Sequence, residues 1–290
     1  MPSFREFNTK LQSLKGMRRV TRTMKMVAAG KLRRAQEALV RAEQCRTTLH
    51  RLLAILPEAL HTSGQPLMAQ AKHPRSALIL VLTSDRGLCG GFNNNVARMV
   101  EDWVADNHAI WPRLQASFVG RKGYGLLKKE VDVRRFHQDI GPQPEFTDAL
   151  RVGLELTAAF RADQYQEVYI AYTRFLGALN YEATIDRLLP VELPPAPLHE
   201  GPAVSYMIEP GEQVLADRLL AQCVHFKIFH AMLQSSAAEF GARMMAMESA
   251  TSNIDKLRNR YTLLRNTARQ GAITRELIEI VAGAESLKGQ

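Results

Sequence analysis

The chain has 290 residues, 46% hydrophobic and 23% charged, enough apolar side chain to bury a sizeable core in one or two domains, and a composition that excludes a disordered tail. Its three cysteines, Cys45, Cys89 and Cys223, are odd in number and far apart, which excludes a disulfide framework or a metal-ligand cluster and predicts a reducing compartment. The longest apolar run, Ala77–Leu82, is strand-sized and well short of the roughly 20 residues of a membrane span.

The N-terminus has no signal-peptide core, and its arginines follow a heptad-like pattern unlike a transit segment, so a soluble, cytosol-facing protein is expected. Net charge is +9, and its location matters more than its size. Residues 1 to 56 hold thirteen Lys or Arg against three Glu, a balance of +10 that leaves about −1 for the rest. A basic helix of this kind suits nucleic acid, an anionic membrane or an acidic protein surface, or is simply a solvated face.

In chain order, apolar side chains recur at Phe4, Phe7, Leu11, Leu14, Met17, Val20, Met24 and Val27, then at Ala28, Leu32, Ala35, Leu39, Ala42, Cys45, Leu49, Leu52 and Leu56. This spacing predicts one helix of more than fifty residues, ended by Pro57 and the turn at 63–66. Its phase steps by one near Val27 and Ala28, as expected when a 3.6-residue helix drifts against a 3.5 repeat.

Between Ser76 and Leu189 strands alternate with helices. Strands are expected at 77–82, 116–119, 131–136 and 167–173. Helices are expected at 94–107, 126–130 and 144–161, and a glycine turn at 120–125. This is the pattern of a parallel α/β sheet. An alternating run at 181–189 is expected to pair antiparallel, and a proline-rich exit linker follows at 191–202.

From Gly211 to Gln290 the three-four rhythm returns without a proline, through Leu219, Phe226, Phe229, Leu233, Ala237, Phe240, Met244, Met247, Ile254, Leu257, Tyr261, Leu264 and Ala268. The predicted fold is therefore an α/β domain inserted between two long N- and C-terminal helices that form an antiparallel coiled coil. The segments are 1–57, a Rossmann-like 58–210 with its linker, and 211–290. Bringing Leu56 level with Glu212 makes opposite residue numbers sum to about 268. The helices, roughly 80 and 115 Å long, then leave residues beyond about 266 without a partner in the chain. That overhang is apolar, with Ile273, Leu277, Ile278, Ile280 and Val281, and apolar surface of this kind marks a partner site.

Candidate chemistry is sparse. Ser84–Asn93 (SDRGLCGGFN) follows a strand and precedes a helix, where phosphate loops sit. It has neither a P-loop nor a dinucleotide signature, and such a turn wants glycines for its backbone alone. Cys89 has no histidine and acid at a spacing that suggests a nucleophile, and no pair of the eight histidines has metal-binding spacing. No catalytic constellation, cofactor or metal is expected. The methionines on the two long helices fill core or suit a surface that meets several neighbour shapes. Met24, level with Arg243 and Met244 by the 268 rule, is expected to touch a partner.

Four segments carry a family resemblance: 20–36 (VTRTMKMVAAGKLRRAQ), 84–93, 242–253 (ARMMAMESATSN) and 268–284 (ARQGAITRELIEIVAGA). In order and spacing, over essentially the whole chain, they resemble the gamma subunit of F-type ATP synthases. The resemblance implies a central rotor, its coiled coil inside a hexamer of alpha and beta subunits in a 3:3:1 ratio with this chain. It also implies an α/β foot on the membrane ring of c subunits that binds epsilon. ATP would bind to the neighbours, with no nucleic acid and no membrane insertion by this chain, at the cytoplasmic face of a bacterial inner membrane.

Carried over by motif, Arg22, Met24, Lys25 and Arg243 would lie at the lever loops of beta, and Arg269, Gln270, Thr274 and Glu276 at an upper contact around the apolar tip. Four positions depart from the usual pattern: Arg275 for Gln, Gly30 and Gly271 for Ala or Ser, and Glu248 for Lys. Two other readings remain on the residues alone, a nucleic-acid-associated coiled coil and a dinucleotide-dependent enzyme.

Overall fold

The computed structural model describes residues 4–55, 64–192, 209 and 211–288. Its elements run α1 (Phe4–Ile55), a 3-10 turn (Pro66–Met68), β1 (Ser76–Leu82), α2 (Phe92–Asn107), β2 (Arg113–Val119), α3 (Arg121–Leu127), β3 (Asp132–His137), α4 (Phe146–Arg161), β4 (Glu167–Gly177), β5 (Asn180–Leu189) and α5 (Glu212–Lys288). The exit linker expected at 191–202 lies mostly outside the described residues. The chain divides into two compact units, Ala28–Arg243 and Met1–Val27 with Met244–Gln290.

In the first unit the sheet has the order β3-β2-β1-β4-β5, parallel except for β5, which pairs antiparallel with β4 as the alternating run predicts. β1 is central and every residue of it is buried. Because successive side chains of a strand point to opposite faces, its apolar run serves two cores. Leu78, Leu80 and Leu82 join α4 and the first part of α5, through Val152, Leu156, Val224 and Ile228. Ala77, Ile79 and Val81 face α2 and the aromatic group of Trp103, Trp111 and Tyr169. A strand covered on both faces needs apolar residues at every position, which is why β1 is legible as an unbroken hydrophobic stretch.

The glycine turn expected at 120–125 is instead the N-cap and first turns of α3. Gly120 has φ +96°, and a Cβ there would stand 2.1 Å from the Thr83 carbonyl oxygen. One at Gly123 would stand 2.6 Å from Thr83 Oγ1, which accepts the Gly123 N–H at 2.9 Å. Both glycines bring the helix start against the end of β1. α4 begins at Phe146, two residues later than the expected 144, because Glu145 caps it: the Glu145 N–H donates to Asp148 Oδ2 at 3.0 Å in a reciprocal capping box.

The two long helices pair antiparallel within each unit. In the Ala28–Arg243 unit Ala42 packs with Phe226 and Leu233, Lys31 lies over the Phe240 ring, and His230 Nε2 is 3.5 Å from Glu43. In the other unit Phe7 meets the Tyr261 ring, Thr251 donates to Thr21 at 2.8 Å, and Arg18 Nε bonds Asp255 at 2.7 Å. The facing numbers sum to 268 at Phe7–Tyr261 and Ala42–Phe226, as expected, and reach 273 at the longer ion pairs Arg18–Asp255 and Glu43–His230. In the first turn of α5 the Gln213 carbonyl accepts from Gln65 Nε2 at 3.5 Å.

The phase step is real but not symmetric. Ala28 is buried at 2% exposure, whereas Val27 is 54% exposed, and Met17 and Val20 also lie outside the seam. Small side chains let the helices close at this level, and the branched ones are left on the surface.

Candidate coupling interface

The first part of α5 is a structural wall of the α/β unit. Residues Ser235–Ala242 are all buried. Ala238 and Ala242 pack on Cys89 and Phe92 of the 84–93 loop, with Phe175 and Tyr181 from the β4–β5 hairpin beside them. The Ala178 carbonyl would come within 3.2 Å of a Cβ at Gly241, so that glycine permits the close approach.

The 84–93 loop is closed by its own hydrogen bonds. The Ser84 N–H donates to Asn93 Oδ1 at 3.0 Å, the Ser84 hydroxyl donates to the Arg86 carbonyl at 2.7 Å and accepts from Asn93 Nδ2 at 2.9 Å, and Asn93 Nδ2 also reaches Cys89 Sγ at 3.2 Å. The Arg121 N–H donates to Asp85 at 3.0 Å, and the Asn95 N–H to the Gly91 carbonyl at 2.8 Å. Leu88 and Gly90 take positive φ. The glycines and Cys89 therefore serve the turn and its packing.

Arg243 fastens this loop to α5. Its side chain is only 11% exposed; Nη1 bonds Glu239 at 2.7 Å, and Nη2 donates to the Arg86 and Gly87 carbonyls at 3.4 Å each. Burial holds the Glu239 carboxyl above its usual range, and the guanidinium opposes that shift. The sequence placed Arg243 at a partner surface; the structure gives it these partners within the chain. Met24 and Lys25 belong to the other compact unit, where Lys25 pairs with Glu248. The acidic residue at 248, unusual for the resemblance, thus has a local reason: it neutralises Lys25. Arg22 is exposed and Met24 half-buried.

Beyond the level of Phe4, α5 has no partner among the described residues. From Glu248 to Ala284 no residue is buried, and Ile273, Leu277, Ile278, Ile280 and Val281 are 44% to 67% exposed. Arg269, Gln270, Thr274 and Glu276 share this surface, Thr274 bonded to the Gln270 carbonyl of its own helix. Among the described residues no helix is long and apolar enough to cross a membrane.

The histidines of α5 are packing residues. His225 is buried with neither ring nitrogen hydrogen-bonded, and burial holds its pKa below the ordinary value. A Cβ on Gly153 would lie 2.2 Å from its ring, so Gly153 is the niche that admits it. Among the described residues no cluster of three or more His, Cys, Asp or Glu could hold a metal. Sequence reading missed the Arg243–Glu239 clasp, whose only local trace is an i,i+4 acid-base pair on an otherwise small-residue face.

An α/β unit walled by one of two antiparallel long helices, with a bare apolar helical end, is the architecture that the resemblance to gamma subunits implies. The ATP synthase family model matches residues 3–287. Over 289 residues the chain is 38% identical to the ATP synthase gamma chain of Geobacter sp. (strain M21), covering 100% of both. It is 36% identical to that of Anaeromyxobacter sp. (strain Fw109-5) over 293 residues, 99% of this chain and 100% of the relative. The chain belongs to the ATP synthase gamma-chain family. Two solved Euglena gracilis mitochondrial ATP synthase assemblies share the fold. One, of OSCP, F1 and the c-ring, has TM-score 0.67 and 21% identity over 98% of this chain and 94% of that one. The other, of the rotor, has TM-score 0.64 and 20% identity over 93% and 98%.

Proposed function

We propose that this chain is the central rotor shaft of an F-type ATP synthase, without a catalytic site of its own. It would couple proton or sodium flow through a membrane c-ring to ATP synthesis or hydrolysis at an alpha/beta hexamer. The observation that carries the reading is the apolar, unpaired end of α5 in a gamma-family chain. A helix end with this much exposed apolar surface needs another protein around it, and the hexamer bearing supplies one.

On this reading, segments 1–57 and 211–290 act as shaft and 58–210 as foot, resting on the c-ring and epsilon at the cytoplasmic face of a bacterial inner membrane. Rotation of an asymmetric shaft presents a different face to each beta subunit, and differential contact shifts each among its conformations. Arg22, Met24 and Lys25 serve the lever-loop level, with the Lys25 charge tempered by Glu248. Arg243 serves it indirectly, by holding the 84–93 loop. Arg269, Gln270, Thr274 and Glu276 make the upper contact, and Ile273, Leu277, Ile278, Ile280 and Val281 turn in the bearing.

The nucleic-acid reading asks for a free basic face. Four of the thirteen basic residues of that segment, Arg18, Lys25, Arg33 and Arg46, are ion-paired within the chain, and family membership offers that reading no support. Co-purification tests the proposal: alpha and beta subunits should accompany the tagged chain in a 3:3:1 ratio. A chain recovered alone from cells that express an assembled hexamer contradicts it.

A further inference from the structure

Within the Ala28–Arg243 unit, α1, the β4–β5 hairpin and α5 enclose a cavity of about 580 Å³. The volume lies in the range of small-molecule sites, which combine apolar walls with a few placed polar groups. Leu49, Leu53, Ile170, Val224 and Phe226 form its apolar wall. Its charged lining is cationic in excess: Arg46, Arg174, Arg187 and Lys227, with His50 and His230, stand against Glu43, Asp186 and Glu192.

The three carboxylates are already engaged. Glu43 accepts from Arg46 Nε at 2.9 Å and lies 3.5 Å from His230. Asp186 accepts the Tyr172 hydroxyl at 2.8 Å and lies 3.5 Å from Arg174, and Glu192 pairs with Arg187. Lys227 has no carboxylate partner among the described residues; its ammonium donates to the Arg187 carbonyl. His50 has no hydrogen-bonding partner there either. An ammonium and an imidazole left over after every lining acid is matched leave the cavity short of negative charge.

We propose that this cavity binds a phosphate-bearing anion of up to nucleotide size, held by Lys227 with His50, Arg46 and Arg187. Guanidinium and ammonium groups make charge-assisted bonds to phosphate oxygens, and the apolar wall leaves room for an organic portion. Since the ligands come from α1, β5 and α5, the bound anion ties both long helices to the sheet and stiffens their junction.

Binding takes up protons. Burial first, and the neighbouring Arg46, hold His50 and His230 below the ordinary histidine value, partly opposed by Glu43; Lys227 adds to the depression at His50. Arg174, Asp186 and Arg187 face the same cavity from the sheet. A bound anion favours the imidazolium forms, so proton uptake at His50 and His230 accompanies binding.

The test is calorimetric titration of the full-length chain at low ionic strength with inorganic phosphate, pyrophosphate and ADP, with adenosine as the uncharged control. Saturable binding of the phosphate compounds but not adenosine is expected. Lys227→Gln should weaken it about tenfold or more, Lys227→Arg should retain it, and neither should change the ligand-free unfolding midpoint. Preference for ADP over pyrophosphate identifies a nucleotide as the occupant; equal affinity identifies the phosphate group alone. Absence of saturable binding, binding unchanged in Lys227→Gln, or complete displacement by chloride at matched ionic strength overturns the proposal.

Discussion

Two stretches of the same helix are built on opposite principles. From Ala216 to Met247, α5 buries residues around most of its circumference, because a sheet, the 84–93 loop and α1 surround it. From Glu248 to Ala284 it buries none, although apolar residues continue at helical spacing to Val281. Helical rhythm therefore reports that a face is to be covered, while the cover differs: sheet, loop and α1 in the first stretch, and in the second α1 on one side as far as Tyr261, with no described residue over the apolar end.

The largest effects on stability should fall on the first stretch. Ile228→Ala, at a fully buried position, should cost about 2–5 kcal/mol in denaturant unfolding of the full chain. Ile278→Ala, in the exposed stretch, should cost less than about 0.5 kcal/mol. Equal losses would erase the distinction.

Arg243→Ala should cost about 3 kcal/mol, since it strands the buried Glu239 carboxylate and frees the loop carbonyls. The double variant with Glu239→Gln should recover part of that loss. A cost below about 1 kcal/mol would mean that Arg243 is held for a partner and not for the loop.

Acidification sharpens the comparison more gently. His50, His137, His225 and His230 all lie in the first unit and have pKa values lowered chiefly by burial. The unfolded chain then binds protons before the folded one, so stability is full above the ordinary histidine value of 6.5 and falls as pH drops through and below it. His225→Leu should flatten part of this slope, as read from thermal unfolding between pH 7.5 and 5. An unchanged slope would assign the effect to the other three.

The smallest stability effect belongs to the exposed half. Glu248→Lys should cost less than about 1 kcal/mol, because the Lys25–Glu248 pair is half-exposed. By freeing Lys25 it should instead alter ATP turnover of the assembled complex. A large stability loss with unchanged turnover would make the pair structural.

Much of this was legible in the sequence. β1 declared itself because both its faces are covered, and the antiparallel β5 because one face alternates. The register of the long helices was legible to within about five residues: chain ends suggest 268, and facing pairs run from 268 at Phe7–Tyr261 to 273 at Arg18–Asp255. Val20 and Val27 kept the apolar rhythm yet lie outside the seam, a choice made by the small Ala28 where the helices close. The Arg243 clasp and the Lys227 cavity join residues from elements far apart in the chain, which local pattern cannot reveal. The apolar end was readable because its rhythm runs on past the reach of α1.

The account stands most directly on that end. Deleting residues 271–290 and measuring ion-coupled ATP turnover in reconstituted complex should leave the α/β unit folded by circular dichroism and reduce coupling. Coupling undiminished by the deletion, with the unit intact, would contradict the claim that the bare end of α5 is the part held by the hexamer.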